Sequence, residues 1–298
     1  MAAGLHHHLP RSYQLRFATR GRVHVFDRVT RSFRADTPRN VGAVRDDYTI
    51  VHSDGRRDSR VETEFLSRLD DRGARLLEKL SHRVPIYLDE KEDFCWYLSF
   101  FLVRGPRFRR MLDELGTAMW KAFARVELGT ADDIRRMIME CPDFSDTDRA
   151  AADPELLLEM IQREEYQLAL NREYAVKLMM EHGSELRELF LKSDWVIAHA
   201  NDGAEFITSD HPIVTRRPMR TFPLGHDCCL MMIEGAGEKI THRDMPPSMV
   251  HAVNLDTARQ SERVVIGKTS DYLRRVVSET RVDSTAPDPI AVPGLPSA

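Results

Sequence analysis

Residues 22–26 alternate polar and apolar side chains, placing Val23 and Val25 on one face, as a half-buried strand should. Gly21 stands just before it, at a turn position. A second short strand is predicted over residues 32–34, followed by an irregular loop through Pro38, Asn40 and Gly42. Another short strand over 48–51 would be closed by the turn pair Asp54-Gly55. From residue 59 or 60 the period becomes helical. Val61, Phe65, Leu69, Leu76, Leu77 and Leu80 fall largely on one face, and Pro85 ends the run. Asp89 is the expected N-cap of the next helix, with Glu92 three positions on. Residues 94–103 are apolar almost throughout, the mark of a buried helix, and Gly105-Pro106 stops them. Further helices are predicted over 107–126 and 132–140, and Cys141-Pro142 closes the second. Asp153-Pro154 opens a long helical stretch to about 192, with Gly183 as its expected break.

The strand pattern then returns. Residues 195–198 and 205–208 read as strands joined by the turn Asn201-Asp202-Gly203, and 228–233 as a third. Pro246-Pro247 precedes a helix over 248–262, then a strand at 264–266 and a last helix from Asp271. Strands, a helical middle at about 59–192, and strands again predict an α+β fold. The mixed or antiparallel sheet would be shared by the N- and C-terminal segments, in one domain over 1–285. The Pro-rich tail at 286–298 is expected to be disordered.

Composition narrows the class. At 298 residues with 42% hydrophobic content, the chain can bury a large core. A formal net charge of -4 argues against a generic polyanion binder. No apolar run approaches the roughly 20 residues that span a bilayer, so no membrane association is expected. His6, His7 and His8 follow the first residues where a signal peptide would be apolar, and four cysteines are too few and too badly spaced for a disulfide scaffold. A cytoplasmic location is the expectation. Charge is unevenly spread: residues 1–45 carry nine Arg, no Lys and two Asp, whereas 127–166 carry twelve Asp/Glu against four Arg. Such a distribution can steer an anionic ligand or dock the two regions on each other.

Several segments, in order, resemble a bacterial family catalogued as domain of unknown function 4238. His7-His8-Leu9-Pro10-Arg11-Ser12-Tyr13 with Phe17-Ala18 is similar to its N-terminal signature. The strand at 22–26, Pro38-Arg39-Asn40-Val41 and Arg45-Asp46-Asp47-Tyr48-Thr49 follow in the family's order. Glu62 and Asp70 sit where the family places acidic residues, and Arg104-Gly105-Pro106-Arg107-Phe108-Arg109 resembles its step between helices. Trp195 and Phe206-Ile207-Thr208-Ser209-Asp210-His211-Pro212 are similar to the C-terminal signature, with Asn254 on a late helix. Gln14 and His211 depart from the family pattern. The resemblance covers about residues 6–270 and implies a shared fold, without an established activity.

Candidate chemistry gathers in three places. The residue before a proline is biased to extended geometry, so His6 and His8 should share one face and His7 point the other way, inward or into a cleft. His7 is then a candidate general base or metal ligand, or a histidine that pins the terminus by a hydrogen bond. Asp210 follows a strand end, where scaffolds display reactive groups. It is a candidate carboxylate base or ligand, with Ser209 a weak nucleophile and His211 its neighbour. The same residues before Pro212 also suit an Asx-type turn. Arg104 and Arg107, with Arg109 and Arg110, form a basic cluster that suits an anion or pairs with acidic side chains; Arg11 is a further candidate for substrate binding. Glu62 is the remaining metal-ligand candidate; Asp70, Glu164, Glu165 and Asn171 are polar positions that a solvated face explains as well.

These residues favour an enzyme: a hydrolase or nuclease-like protein acting on an anionic small molecule or nucleic acid. His7, Asp210 and Glu62 would hold a divalent metal, and Arg104, Arg107 and Arg11 the substrate. The alternatives are a nucleic-acid-binding protein without catalysis, resting on the N-terminal arginines, and an interaction module in which the His and Asp motifs only tie the fold together.

Overall fold

Two strand-rich ends of the chain meet in a single sheet. The computed structural model describes residues 5–45, 48–51, 56–164 and 166–281, with backbone alone for Leu5, Arg45 and Val51. The Asp54-Gly55 turn, Asp46-Asp47, Glu165 and the tail at 286–298 lie outside the described residues. Strand β1 (Leu5–His7) leads through Pro10 into a short helix α1 (Arg11–Leu15). β2 (Val23–Asp27) pairs with β3 (Ser32–Asp36), and β4 (Ala43–Arg45) returns to pair with β1. β5 (Ile50–Val51) and β6 (Arg57–Asp58) form another small pair. A π-helical turn (Val61–Leu66) runs into α2 (Ser67–Ser81), followed by α3 (Leu88–Val103) and α4 (Pro106–Glu127). α5 (Ala131–Glu140), α6 (Asp146–Ala151), α7 (Pro154–Arg163) and α8 (Arg172–Leu191) complete the helical stretch. Next come β7 (Ser193–Ala200), β8 (Thr208–Ser209), β9 (Val214–Arg216), β10 (Met219–Pro223), β11 (Cys228–Glu234) and β12 (Ile240–Met245). α9 (Pro247–Arg259), β13 (Val264–Gly267) and α10 (Ser270–Thr280) close the order.

The fold is α+β. One sheet has the order β3-β2-β13-β8, antiparallel throughout, so N-terminal β2 lies beside C-terminal β13 with Val25 opposite Ile266. The other is mixed: β12-β7-β11-β10-β9, in which β12 alone runs parallel to its neighbour. By contacts the chain falls into two compact units, residues 1–109 with 172–298, and residues 110–171. Of the helical middle expected at about 59–192, α2, α3 and α8 therefore belong with the strands.

In the first unit α3 is the core helix, and from Phe94 to Val103 none of its residues is exposed, as their composition predicts. Phe94 meets Trp195 edge-on at 5.8 Å, and Phe101 meets Phe222 at 5.1 Å. Gly73 of α2 and Gly183 of α8 let those helices close on it. A Cβ at Gly73 would stand 2.3 Å from the Tyr97 ring, and one at Gly183 2.6 Å from Phe100. Gly183 is thus a packing position inside α8 rather than the expected break; the break comes at Glu164, whose left-handed backbone (φ 53°) ends α7. The cap of α3 also differs: Tyr87 stands at the N-cap position, and Glu90, not Glu92, reaches back to the Tyr87 N–H at 3.2 Å. The Asn201-Asp202-Gly203 turn forms, with Ala204 N–H on the Asn201 carbonyl at 2.9 Å. Its flanking strands diverge, however: β7 enters the mixed sheet and β8 the antiparallel one.

The second unit is built around Ala124, Leu128, Ile134 and Ile138. Its helices carry strong N-caps: Thr130 accepts from Asp133 N–H at 3.2 Å, and Asp153 from Glu155 and Leu156 N–H at 3.1 Å, with Pro154 at the first helical position.

Candidate functional site around Arg104

α3 places Tyr97, Phe101 and Arg104 on one face, at spacings of four and three residues. Arg104 is the C-cap of that helix, where a cation complements the macrodipole. Its side chain is 0% exposed, and the guanidinium carbon lies 4.5 Å from the Phe101 ring centroid and 6.0 Å from that of Tyr97. Nη1 donates to Asp70 Oδ1 of α2 at 2.7 Å. Nε and Nη2 are buried and have no acceptor, and the buried Tyr97 hydroxyl has no partner either. Leaving such groups unsatisfied costs on the order of 1–3 kcal/mol each. That is too much to treat Arg104 as a plain packing residue.

β1 brings the histidines to this face. Its pairing with β4 sets His6 opposite Val44 and His7 opposite Ala43, and Leu9 packs tightly on Gly42, whose φ of +63° suits glycine. The alternation expected of the three histidines holds, with its sides reversed: His6 and His8 are buried and His7 is half-exposed. His6 Nδ1 accepts the Tyr48 N–H at 3.0 Å and its ring stacks on Tyr48, whose hydroxyl donates to the Arg104 carbonyl at 2.7 Å. His8 is pushed down to about 3 by burial, with Arg104 repelling its charged form. His7 donates from Nε2 to the Arg39 carbonyl at 3.1 Å, which fixes the tautomer and leaves a lone pair on Nδ1. Burial lowers its pKa, and Asp70, Arg104 and Arg11 are the charges that act on it most strongly. Burial raises the pKa of Asp70, against the pull of Arg104. His7, Asp70, Arg104 and Arg11 therefore form one electrostatic cluster, with Arg11 on its exposed rim at the start of α1.

The Ser-Asp-His-Pro corner is organised differently. Asp210 is 3% exposed, and its carboxylate accepts Glu262 N–H at 2.9 Å, Arg263 N–H at 2.8 Å and Val264 N–H at 3.2 Å. Burial pushes its pKa up to about 6 while those N–H groups pull it down. Ser209 Oγ donates to the His211 carbonyl and accepts the His211 N–H, a local turn. Burial, with Arg107 adding to it, lowers His211 to about 3. Arg107 itself faces Gln260 O at 3.4 Å and Glu262 Oε1 at 3.8 Å, apart from the Arg104–Asp70 pair. The Asp210 carbonyl approaches Gly105, so the two motifs are neighbours, but this carboxylate is turned to the main chain of 262–264. Glu62 sits in the π-helical turn. Among the described residues no group of three or more His, Cys, Asp or Glu side chains is placed to hold a metal, so His7, Asp210 and Glu62 do not converge. A cleft of about 670 Å³ lies beside β5, β6 and α3, lined by residues including Phe65, Arg68 and Trp96, and none of the sequence-predicted site residues lines it.

A family model described as a protein of unknown function, DUF4238, matches residues 5–271. The chain belongs to this family. No curated protein and no solved structure matches it. In this DUF4238 chain the matched span includes the N-terminal histidines, Arg104 and the Asp210 corner together. Among the described residues no helix is long and apolar enough to cross a membrane. Asp70 and Arg104 were visible as candidates in the sequence. Tyr97 was not, although a tyrosine seven residues before an arginine in an otherwise apolar helix was the available signal.

Proposed function

We propose that this DUF4238 protein is a hydrolase-type enzyme acting on a small anionic substrate, with His7 as general base and Arg104 as the anion-binding residue. One observation carries the reading: a histidine held neutral, with one ring nitrogen committed to a carbonyl and the other free, within electrostatic reach of a buried guanidinium lacking acceptors. Neutral Nδ1 can take a proton from water as that water attacks the substrate, and the nearby Asp70 carboxylate stabilises the resulting imidazolium. Arg104 would hold the substrate's negative charge. A divalent metal on His7, Asp210 and Glu62 is left out, because the Asp210 carboxylate is already taken by three main-chain donors.

The test is turnover of anionic nitrophenyl esters and phosphates by the full chain. We expect His7→Gln to lower kcat by about 100-fold or more with an unchanged melting curve. Absence of turnover on every such substrate, or a His7→Gln variant as fast as wild type, would defeat the proposal. For residues 209–212 a purely structural role is the better reading, given the main-chain bonds of Asp210 and the Ser209–His211 turn. Nucleic-acid binding finds less support, since Arg16, Arg28 and Arg34 are engaged by Leu224 O, Ser261 O and Asp27 respectively.

A further inference from the structure

We infer that the edge of the Arg104 guanidinium bearing Nε and Nη2, with Tyr97 on the same face of α3, is a site for a two-oxygen anion, a carboxylate or a phosphate. The inference rests on the reading of this cluster as an anionic-substrate site, and it names the group by which that substrate is held. Nη1 is spent on Asp70. The two remaining donors without acceptors, Nε and Nη2, are those on one edge of the planar group, where their N–H bonds run parallel. That edge is the fork that receives two oxygens of one carboxylate or phosphate side by side, a geometry a lysine cannot offer. The Tyr97 ring belongs to the same face of α3 as Arg104, and its hydroxyl is a third buried group without a partner.

The surroundings hold this edge in place. Phe101 lies against the guanidinium plane, Asp70 anchors its far nitrogen, and Tyr48 fixes the Arg104 main chain through its carbonyl. His8, neutral and buried nearby, adds no competing charge. The half-exposed His7 and the partly exposed Asp70 are the charged and titratable neighbours that act on this guanidinium from the solvent-reaching part of the cluster.

The experiment measures melting temperature and binding heat of the full chain with inorganic phosphate in one arm and acetate in the other. Chloride at matched ionic strength is the control. We expect at least one of the two anions to raise the melting temperature above chloride; a response to phosphate alone points to a phosphorylated substrate, and to acetate alone to a carboxylic acid. Arg104→Lys, which keeps the charge and loses the fork, should weaken binding about tenfold or more. Tyr97→Phe, which keeps the packing, should weaken it about threefold and serves as the test should Arg104→Lys not fold. Neither anion acting beyond chloride, or Tyr97→Phe and Arg104→Lys binding as wild type does, would overturn the inference. Anion binding without turnover of any anionic ester would leave this site standing and remove the hydrolase reading. Turnover indifferent to Tyr97→Phe and Arg104→Lys would do the reverse.

Discussion

Truncating Asp210 to alanine takes the acceptor away from three main-chain N–H groups at once, those of Glu262, Arg263 and Val264. Each donor left without a partner costs on the order of 1 kcal/mol or more, and relaxation of the loop recovers part of it. We expect Asp210→Ala to destabilise the protein by about 3 kcal/mol in urea denaturation, and Asp210→Asn by less because one oxygen remains. A loss below about 1 kcal/mol would mean the carboxylate does not organise that segment. His7→Gln should leave the same curve nearly unmoved, since His7 makes one exposed bond to Arg39. The sequence made both residues visible as candidates but could not rank them. The partners that make Asp210 structural lie more than fifty positions downstream, in a stretch whose N–H groups carry no signature of their own.

At the scale of elements, Lys91 shows what an apolar helix can conceal. It lies in α3 at 2% exposure, and its ammonium donates to the carbonyls of Leu191 at 3.1 Å and Ser193 at 2.9 Å, and to that of Gly237. The lysine thereby ties the end of α8, the start of β7 and the turn before β12 to one helix. Lys91→Met keeps the stem and strips three carbonyls, two of them in fully buried bonds, of this donor. We expect a loss of about 2–4 kcal/mol, read as a lower denaturation midpoint with unchanged slope; a shift within about 0.5 kcal/mol would refute this role. Existence of α3 was legible because its apolar run is long, and the strand at 264–266 because its run is β-branched. β12 was not: Ile240–Met245 has charged and polar residues on both faces and sits at a sheet edge, so no period of two survives. Gly183 was misread because a glycine that admits a ring looks, in sequence, like one that breaks a helix. The fork on Arg104 was illegible for a related reason: the spacing from Tyr97 is visible, but which donors stay unmet depends on α2.

Across the whole molecule, two desolvated histidines set the response to acid. His8 and His211 both have pKa values lowered to about 3, chiefly by burial, from an ordinary 6.5. Below about 6.5 the unfolded chain takes up protons that the native one refuses, so stability is full above that pH and falls as pH falls toward 3. Each histidine removes about 2 kcal/mol by pH 5. Asp210 works the other way, because its raised pKa of about 6 lets the native state keep a proton that the unfolded state gives up. Acidification from pH 7 to 5 therefore returns about 1 kcal/mol from that group. The histidines win, and the melting temperature should drop between pH 7 and pH 5. A flat or rising trend in calorimetric scans would show that they are more open to solvent than their packing implies.

The placement of β13 beside β2 has a consequence for biosynthesis. Arg263 and Asp27, 236 positions apart, are joined by an ion pair where these strands meet. A ribosome must therefore translate as far as Gly267 before the antiparallel sheet can gain the strand that sits between β2 and β8. Until then the early strands wait with an unfilled edge, and nascent chains halted short of Val264 should be the ones that chaperones hold longest.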